Sequence, residues 1–367
     1  MTPRIPIAVL AAGALALGAA ACGSSNNNNS SSTSSSSSGS GSTASGTVNG
    51  AGSTFAAPVY QQWGADLKGQ GLTVNYQPVG SGAGVAALAA GTAAFAGSDP
   101  SLQSADRATL KKGPVVQIPM FFGAITVSYN ESGAPKDLKL DGSTIANIFL
   151  GKIKKWNDPA IAALNPGLRL GSDDITIVHR SDESGTTKGF TTYLSDVSPQ
   201  WKSGVGADKT VKWPTGTGAK GNDGVAATIK NTSGSIGYVE QAYALQNGFT
   251  YADVKNSAGN FIAPTLASTS AAGDGLKIPA DLGISTINAP GAQAYPIASQ
   301  TFVDVYKDPC KAGVSKGDAT ALKSFIDYGL STGQGALGKL FFAKLPAPLL
   351  AKSKAALGTL TCNGSAL

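Results

Sequence analysis

The chain has 367 residues, of which 42% are hydrophobic and 14% are charged, and it contains 47 glycines. This length is sufficient for two domains with cores of their own, and the many glycines and few charged residues suggest a compact body with many tight turns. The formal net charge of +6 suits an anionic ligand without selecting one. There is no run of Lys and Arg with interleaved aromatic residues, which argues against a nucleic-acid partner.

The N-terminus has the pattern of an export signal. Residues 1–21 carry a single charge, Arg4, followed by an apolar run from residue 7 to residue 17 and small residues before Cys22. The run is short and rich in Ala and Gly, which predicts a signal peptide rather than a spanning helix. Small residues ending at a cysteine resemble a bacterial lipoprotein processing site, although Ala19 stands where Leu is commonest. We expect Cys22 to be lipidated and to anchor the protein at the outer face of the cell membrane; the alternative is a plain secreted protein.

Residues 22–46 are nearly all Ser, Asn, Gly and Thr. They lack the apolar side chains that offset ordering entropy, so we expect a lipid-anchored, disordered tether. A coil of this type and length has a root-mean-square span of about 25–30 Å.

If Cys22 is acylated, Cys310 and Cys362 remain as an even pair. A disulfide between them is the natural expectation in an exported protein, although spacing alone does not prove it.

The rest of the chain alternates strand and helix patterns in sequence order. Strands are predicted over residues 72–76, 93–96, 115–118, 124–129, 175–178, 235–239 and 301–306. Helices are predicted over residues 58–67, 85–90, 143–149 and 240–245. Two more are predicted to end at Leu110 and at Lys230, and another to begin at Phe190. Two or three further helices are predicted between residues 316 and 360. Such alternation predicts parallel α/β units.

Four turns share one format, in which small or hydroxyl residues stand at a strand end immediately before a helix. They are residues 53–55, 80–82, 97–99 and 184–187. Ligands in open α/β sheets bind beyond the carboxyl ends of the strands, where the first N–H groups of helices have no intrahelical partner. Each turn alone is typical of an ordinary helix start, but the four together favour an anion site.

The stretch from His179 to Lys188 is the most distinctive of these turns. Arg180 offers a planar fork suited to an oxyanion, Ser184, Thr186 and Thr187 add hydroxyl donors, and Asp182 is placed to orient the guanidinium. The alternative is an ordinary Ser/Thr N-cap beside a surface Arg–Asp pair.

Asp99 is unexpected in an anion site because a carboxylate repels an anion that has no proton to donate. Phosphate near neutral pH still carries a proton, whereas sulfate does not. An acceptor-only Asp99 would therefore admit phosphate and reject sulfate. The alternative is that Asp99, just before Pro100, only caps the next helix.

Between Gly50 and roughly Leu345 the chain resembles the substrate-binding lipoproteins of bacterial Pst-type ABC phosphate transporters, the PstS family. The segments that carry the resemblance are AGSTFAAPVY (51–60), VGSGAG (79–84), FAGSDPSL (95–102), LGKIKKWNDPAI (150–161), LNPGL (164–168), HRSDESGTT (179–187), VKWPTGTGAKGNDGVA (211–226) and GSIGYVEQAYAL (234–245). The tail after Leu345, which includes Cys362, matches least.

The resemblance implies a type II periplasmic-binding-protein fold of class α/β, with two lobes joined by two hinge crossings. Lobe I would comprise residues 47–129 plus 296–367, and lobe II residues 130–295. A monomer would bind one inorganic phosphate between the lobes and deliver it to the transmembrane subunits of an ABC permease. The implied phosphate contacts are Thr54, Phe55 through its backbone, Ser81, Asp99, Arg180, Ser184, Gly185 and Thr186, with Asp182 as the partner of Arg180.

The main alternative from another class is a phosphatase that uses the same anion site. The only histidine, His179, alternates with Arg180 along a strand, so the two side chains face opposite ways. No His/Cys cluster in the sequence offers a metal site. We therefore expect a binding protein without cofactor or metal rather than an enzyme. A receptor for another oxyanion and a surface antigen or adhesin are the remaining alternatives.

Overall fold

The computed structural model describes residues 45–367. The predicted signal peptide, Cys22 with its predicted lipidation and the predicted tether up to residue 44 lie outside the described residues. The strands are β1 (Gly46–Gly52), β2 (Leu72–Pro78), β3 (Phe95–Ser98), β4 (Val115–Asn130), β5 (Lys139–Leu140), β6 (Thr176–Arg180), β7 (Thr217–Ala219), β8 (Ser235–Glu240), β9 (Thr250–Tyr251), β10 (Asp253–Lys255), β11 (Phe261–Ile262), β12 (Ala298–Tyr306), β13 (Thr361–Cys362) and β14 (Ser365–Ala366).

Helices follow most of the strands that come before β9. They are α1 (Ala57–Lys68), α2 (Ser81–Ala90), α3 (Ser104–Thr109), α4 (Gly142–Phe149), α5 (Pro159–Leu164), α6 (Gly185–Val197), α7 (Pro199–Gly204), α8 (Gly221–Asn231), α9 (Gln241–Gln246), α10 (Leu266–Ala271), α11 (Lys316–Leu330), α12 (Gly333–Ala336) and α13 (Ala347–Leu357), with a 3₁₀ turn at Leu337–Leu340. Within residues 45–367, no helix has the length and apolar character needed to cross a membrane.

The main sheet has the order β2-β1-β3-β12-β4-β8-β6-β7, with β9 added beside β4. β1 runs parallel to β2 and β3, and β6 runs parallel to β7 and β8. The prediction of parallel units is therefore right at both ends of the sheet. It is wrong in the middle, where β12 is antiparallel to β3 and β4, and β4 is antiparallel to β8.

The two strands predicted over 115–118 and 124–129 form the single strand β4. Pro119 lies inside it, at the point where the register with β12 shifts between Thr301 and Phe302. A bulge tolerates proline because the missing N–H does not interrupt a regular ladder. β4 pairs with β12 as far as Ala124 and with β8 from Ile125 onwards, so one strand links the two halves of the sheet.

Two aromatic clusters fix the helices that follow β1 and β6. On α1, Tyr60 and Trp63 are fully buried and meet Phe121 edge-on, with ring centroids 5.8 and 5.6 Å apart. On α6, Phe190 stacks on Tyr238 of β8 at 4.4 Å. Burying a large apolar side chain contributes about 1.5–3 kcal/mol, so each cluster holds the start of its helix at the strand end before it.

The C-terminal segment is fastened to the body of the protein. α13 packs on β4, and Ser353 donates a hydrogen bond to the carbonyl of Pro119 at 2.9 Å. The Sγ atoms of Cys310 and Cys362 are bonded, which ties the β13–β14 hairpin to the turn after β12.

Candidate functional site

Three of the four sequence-predicted turns meet at the carboxyl ends of β1, β2 and β3. The N–H of Ser53 donates to the carbonyl of Gly97 at 2.8 Å, which joins the ends of β1 and β3. Asp99 then lies between two hydroxyls. Its Oδ1 accepts from Ser53 Oγ at 2.5 Å, and its Oδ2 from Ser81 Oγ at 3.5 Å. The interpretation of Asp99 as a cap is wrong, since α3 is capped by Gln103.

The fourth turn joins β6 to α6 and supplies the guanidinium. Arg180, the last residue of β6, is 3% exposed, and Ser184 is the N-cap of α6. The hydroxyl of Ser184 accepts from the N–H of Thr187 at 3.0 Å. The N-cap interpretation is therefore right for this side chain. The N–H groups of Gly185 and Thr186 belong to the first turn, where the helix dipole favours negative charge.

The two groups of turns touch each other. A Cβ on Gly185 would lie 2.4 Å from both Asp99 Oδ2 and Ser81 Oγ, so only glycine permits this approach. The N–H of Gly82, in the first turn of α2, donates to the carbonyl of Glu183 at 3.1 Å. The structure thus brings Ser81, Asp99 and Gly185 to one point, with the N-termini of α2 and α6 beside it.

Arg180 is held by Asp182 in a two-point contact. Its Nε and Nη2 donate to the carboxylate at 2.7 and 2.5 Å, and Nη1 donates to Thr186 Oγ1 at 3.4 Å. Burial acts to raise the pKa of Asp182, but the hydrogen bonds and charge of Arg180 outweigh it, and the pKa is lowered. Asp182 stays ionised, which fixes the direction of the guanidinium.

Asn222 is a central residue of the site that the sequence-predicted set lacks. Its Nδ2 donates to Thr54 Oγ1 at 2.8 Å and to Thr186 Oγ1 at 3.2 Å, which links two of the predicted residues. Its Oδ1 accepts from the N–H of Glu240 at 3.0 Å. A signal was present, because Gly221 and Asn222 open α8 after β7 and so form a fifth strand–helix turn.

The end of β8 and the helix α9 that follows it add one further residue each. Tyr243 donates from its hydroxyl to the carbonyl of Thr54 at 2.7 Å. Glu240 is fully buried, and this burial raises the pKa of its carboxyl well above the usual range. The sequence around Glu240 contains no small-residue turn, so nothing in it pointed to a site.

Burial is also the main influence on Asp99. It raises the pKa of this carboxyl to about 6, although the Ser53 hydrogen bond and the charge of Arg180 act in the opposite direction. The Nε2 of Gln300 donates to the carbonyl of Asp99 at 2.7 Å and fixes the backbone at this point. Above a pH of about 6, Asp99 is therefore an ionised acceptor aimed at the N-terminus of α6.

Other sequence-predicted residues face elsewhere. The Phe55 ring packs edge-on against Phe342 at 5.8 Å, which leaves its backbone as the part that can face the site. The His179 ring stacks on Trp213 at 4.6 Å, and its Nδ1 lies 2.9 Å from the carbonyl of Arg180. Among residues 45–367, no group of three or more His, Cys, Asp and Glu side chains is arranged to hold a metal ion. A cavity of about 320 Å³ borders Asp99 and Gly185 and runs along α6.

Comparisons with known proteins give the family and the fold of the chain. A family model described as a PBP superfamily domain matches residues 37–332. The phosphate-binding protein PstS of Pasteurella multocida is 41% identical over 318 residues, which cover 85% of this chain and 90% of that protein. PstS of Haemophilus influenzae is 40% identical over 312 residues, covering 84% and 91%. The solved structure of a human phosphate-binding apolipoprotein has a TM-score of 0.70 at 22% identity and covers 87% of this chain and 99% of that one. The predicted α/β periplasmic-binding-protein fold is confirmed.

Proposed function

Because the chain belongs to the PstS family of phosphate-binding proteins, we propose that it binds inorganic phosphate and delivers it to an ABC permease. The relatives are named for phosphate binding, and the site offers the groups that an oxyanion needs. It has one guanidinium, several hydroxyls and the N-termini of two helices at the ends of parallel strands.

The proposed donors to phosphate are of three kinds, and the carboxylate of Asp99 is proposed as the acceptor. Arg180 supplies the positive charge, and the backbone N–H groups of Phe55, Gly185 and neighbouring residues supply neutral donors. Hydroxyls complete the set. The full proposed set is Thr54, Phe55, Ser81, Asp99, Arg180, Ser184, Gly185 and Thr186, with Asp182 orienting Arg180. Asn222 joins it because it contacts both Thr54 and Thr186.

One observation carries the choice of phosphate among oxyanions. Asp99 is buried and faces the same point as the helix N-terminus of α6. Above a pH of about 6 its carboxylate only accepts hydrogen bonds. A phosphate can donate its remaining proton to this carboxylate, whereas a sulfate would face it with an unscreened negative charge. Selectivity then follows from repulsion of the wrong ligand.

We further propose that the protein consists of two lobes that close on the ligand. Lobe I would contain residues 47–129 and 296–367, and lobe II residues 130–295. In support, β4 changes partner between Ala124 and Ile125, and the chain returns to the first half of the sheet at β12. Thr54, Phe55, Ser81 and Asp99 would come from lobe I, and the remaining contacts from lobe II. Closure would be the signal that the permease recognises.

The mature protein would be a monomer, held at the outer face of the cell membrane by acyl chains such as palmitate on Cys22. The sequence pattern before Cys22 and the relationship to the PstS phosphate-binding proteins support this location. Mass spectrometry of the N-terminal peptide from the native membrane fraction tests it. An unmodified N-terminus or a cleavage site away from Cys22 would refute the anchor.

The role proposed is binding rather than catalysis. Relatives are named as binding proteins, and His179 packs on Trp213 instead of activating a hydroxyl in the site. Calorimetric titration with inorganic phosphate should show one site per chain, and incubation with a phosphomonoester should release no phosphate. Hydrolysis that is abolished by Arg180→Ala would instead favour the phosphatase.

A further inference from the structure

Lys209, in the loop between α7 and β7, forms ion pairs with Asp106 of α3 and with Glu183 of the turn before α6. The ammonium of Lys209 lies 2.5 Å from Asp106 Oδ1 and 3.1 Å from Glu183 Oε1. The Lys209 and Asp106 side chains are only 10% and 12% exposed. The Lys155–Asp174 pair, at 2.9 Å, is exposed on both sides. Solvent screens a buried pair much less than an exposed one, so the Lys209 pair is the stronger contact.

The loop that carries Lys209 is fixed to α6. The carbonyl of Lys209 accepts from the N–H of Ser184 at 3.0 Å, and the ammonium of Lys188 donates to the carbonyl of Ala207 at 2.9 Å. Lys209 therefore moves together with the N-terminus of α6, where the phosphate contacts Gly185 and Thr186 are proposed.

The other end of the pair is fixed to α3. Asp106 Oδ2 accepts from the N–H of Gln103 at 3.0 Å in the capping box of α3, while its Oδ1 faces Lys209. α3 follows Asp99 in the chain by only a few residues. The pair thus spans the site and connects the segment that carries Asp99 to the segment that carries Gly185.

We propose that Lys209 is the latch of the phosphate site: its ion pair with Asp106 holds α3 against the N-terminus of α6 and slows the release of bound phosphate. The latch rests on the proposed function, because Asp106 belongs to the proposed lobe I, and Lys209 and Glu183 to lobe II. Lys209 is a positioning residue that touches the turn rather than the ligand.

The charge state suits a latch. Burial acts to lower the pKa of Lys209, but the hydrogen bonds and charges of Asp106 and Glu183 outweigh it, so the pKa is raised. Lys209 stays charged at neutral pH. When the lobes part, both ions are hydrated, and the pair forms only late in closure. Removing one partner of a buried charge pair mainly changes a dissociation rate, whereas exposed charges change an association rate.

The test is the exchange of radiolabelled phosphate on the full-length protein. Lys209→Met keeps the apolar stem and removes the charge. We expect ³³P-phosphate to dissociate about 10- to 100-fold faster into excess unlabelled phosphate, with the association rate changed by less than about threefold. Lys155→Met, which breaks an exposed pair, should leave both rates unchanged and serves as the matched control.

Two further variants separate a latch from a general structural role. Asp106→Asn should accelerate dissociation in the same direction as Lys209→Met. The double variant should be no faster than Lys209→Met alone, because Lys209→Met already removes the contact with Asp106. Lys209→Arg keeps the charge and should retain slow release. Urea unfolding without phosphate shows whether any variant is simply unstable.

The latch is overturned if Lys209→Met releases phosphate at the wild-type rate, or if its affinity falls only through slower association. It is also overturned if the two single variants accelerate release additively. A wild-type protein that retains no phosphate would refute the proposed function, and the latch with it.

Discussion

The variant Arg180→Ala tests the site most severely, because it removes the guanidinium of the site and leaves the buried carboxylate of Asp182 without its partner. Asp182 is 11% exposed at its side chain and would keep the N–H of Gly221, 3.0 Å away, as a donor. The two charge-assisted hydrogen bonds that disappear are each worth about 1.5–3 kcal/mol. Breaking a buried pair from one side costs about 3–5 kcal/mol, and we expect unfolding free energy to fall by about that amount.

Phosphate affinity should fall for a separate reason. A charged donor in a buried site contributes about 3 kcal/mol, so the dissociation constant should rise a hundredfold or more. Removing Arg180 also removes a charge that lowers the pKa of Asp99, so this carboxyl becomes a poorer acceptor at neutral pH.

The double variant Arg180→Ala/Asp182→Ala separates the two effects. It leaves no unpaired carboxylate, so part of the unfolding free energy should return, while phosphate binding should not. Urea unfolding followed by circular dichroism and calorimetric titration measure the two quantities. Arg107→Ala, which breaks an exposed pair with Asp281 at 3.7 Å, should change stability by less than about 1 kcal/mol. Normal phosphate binding by Arg180→Ala would refute the proposed site.

Three other variants test the selectivity of the site, the role of Asn222 and the disulfide. Asp99→Asn supplies an amide donor and should let sulfate compete with phosphate in a calorimetric competition assay; continued rejection of sulfate would refute the proton-acceptor argument. Asn222→Ala removes the amide that donates to the hydroxyls of Thr54 and Thr186, and it should weaken phosphate binding about tenfold. An unchanged phosphate affinity would show that Asn222 only supports the fold. Replacing Cys310 and Cys362 by Ser opens a loop with a sequence separation of 52 residues and should lower the free energy of unfolding by about 2–4 kcal/mol in urea, without changing phosphate affinity.

The turns were predictable from sequence because their chemistry is local. Small and hydroxyl residues before a helix pattern mark a strand–helix turn wherever it lies in the chain, and parallel topology brings such turns to one edge. Arg180 and Asp182 are two residues apart, so their pairing could be anticipated from the same stretch. Ser184 as an N-cap followed from the same local rules.

The contacts that cross the site were not predictable. Asn222 meets Thr54 across 168 residues of sequence, and Lys209 meets Asp106 across 103. The sequence around Asn222 or Lys209 contains no pattern that predicts which distant residue it contacts. The antiparallel pairing of β4 with β12 was missed for the same reason, because the alternation of strands and helices describes neighbours in sequence and says nothing about a strand that returns from a distant segment.

Asp99 is proposed to select phosphate by accepting its proton, and this role can be measured by competition between phosphate and sulfate at two pH values. Burial raises the pKa of Asp99 to about 6, so the carboxyl is ionised well above that pH and protonated well below it. At a pH of about 8, sulfate should not displace phosphate; at a pH of about 5, the protonated carboxyl can donate to sulfate, and sulfate should compete. Equal rejection of sulfate at both pH values, or competition already at the higher one, would show that Asp99 does not select phosphate in this way.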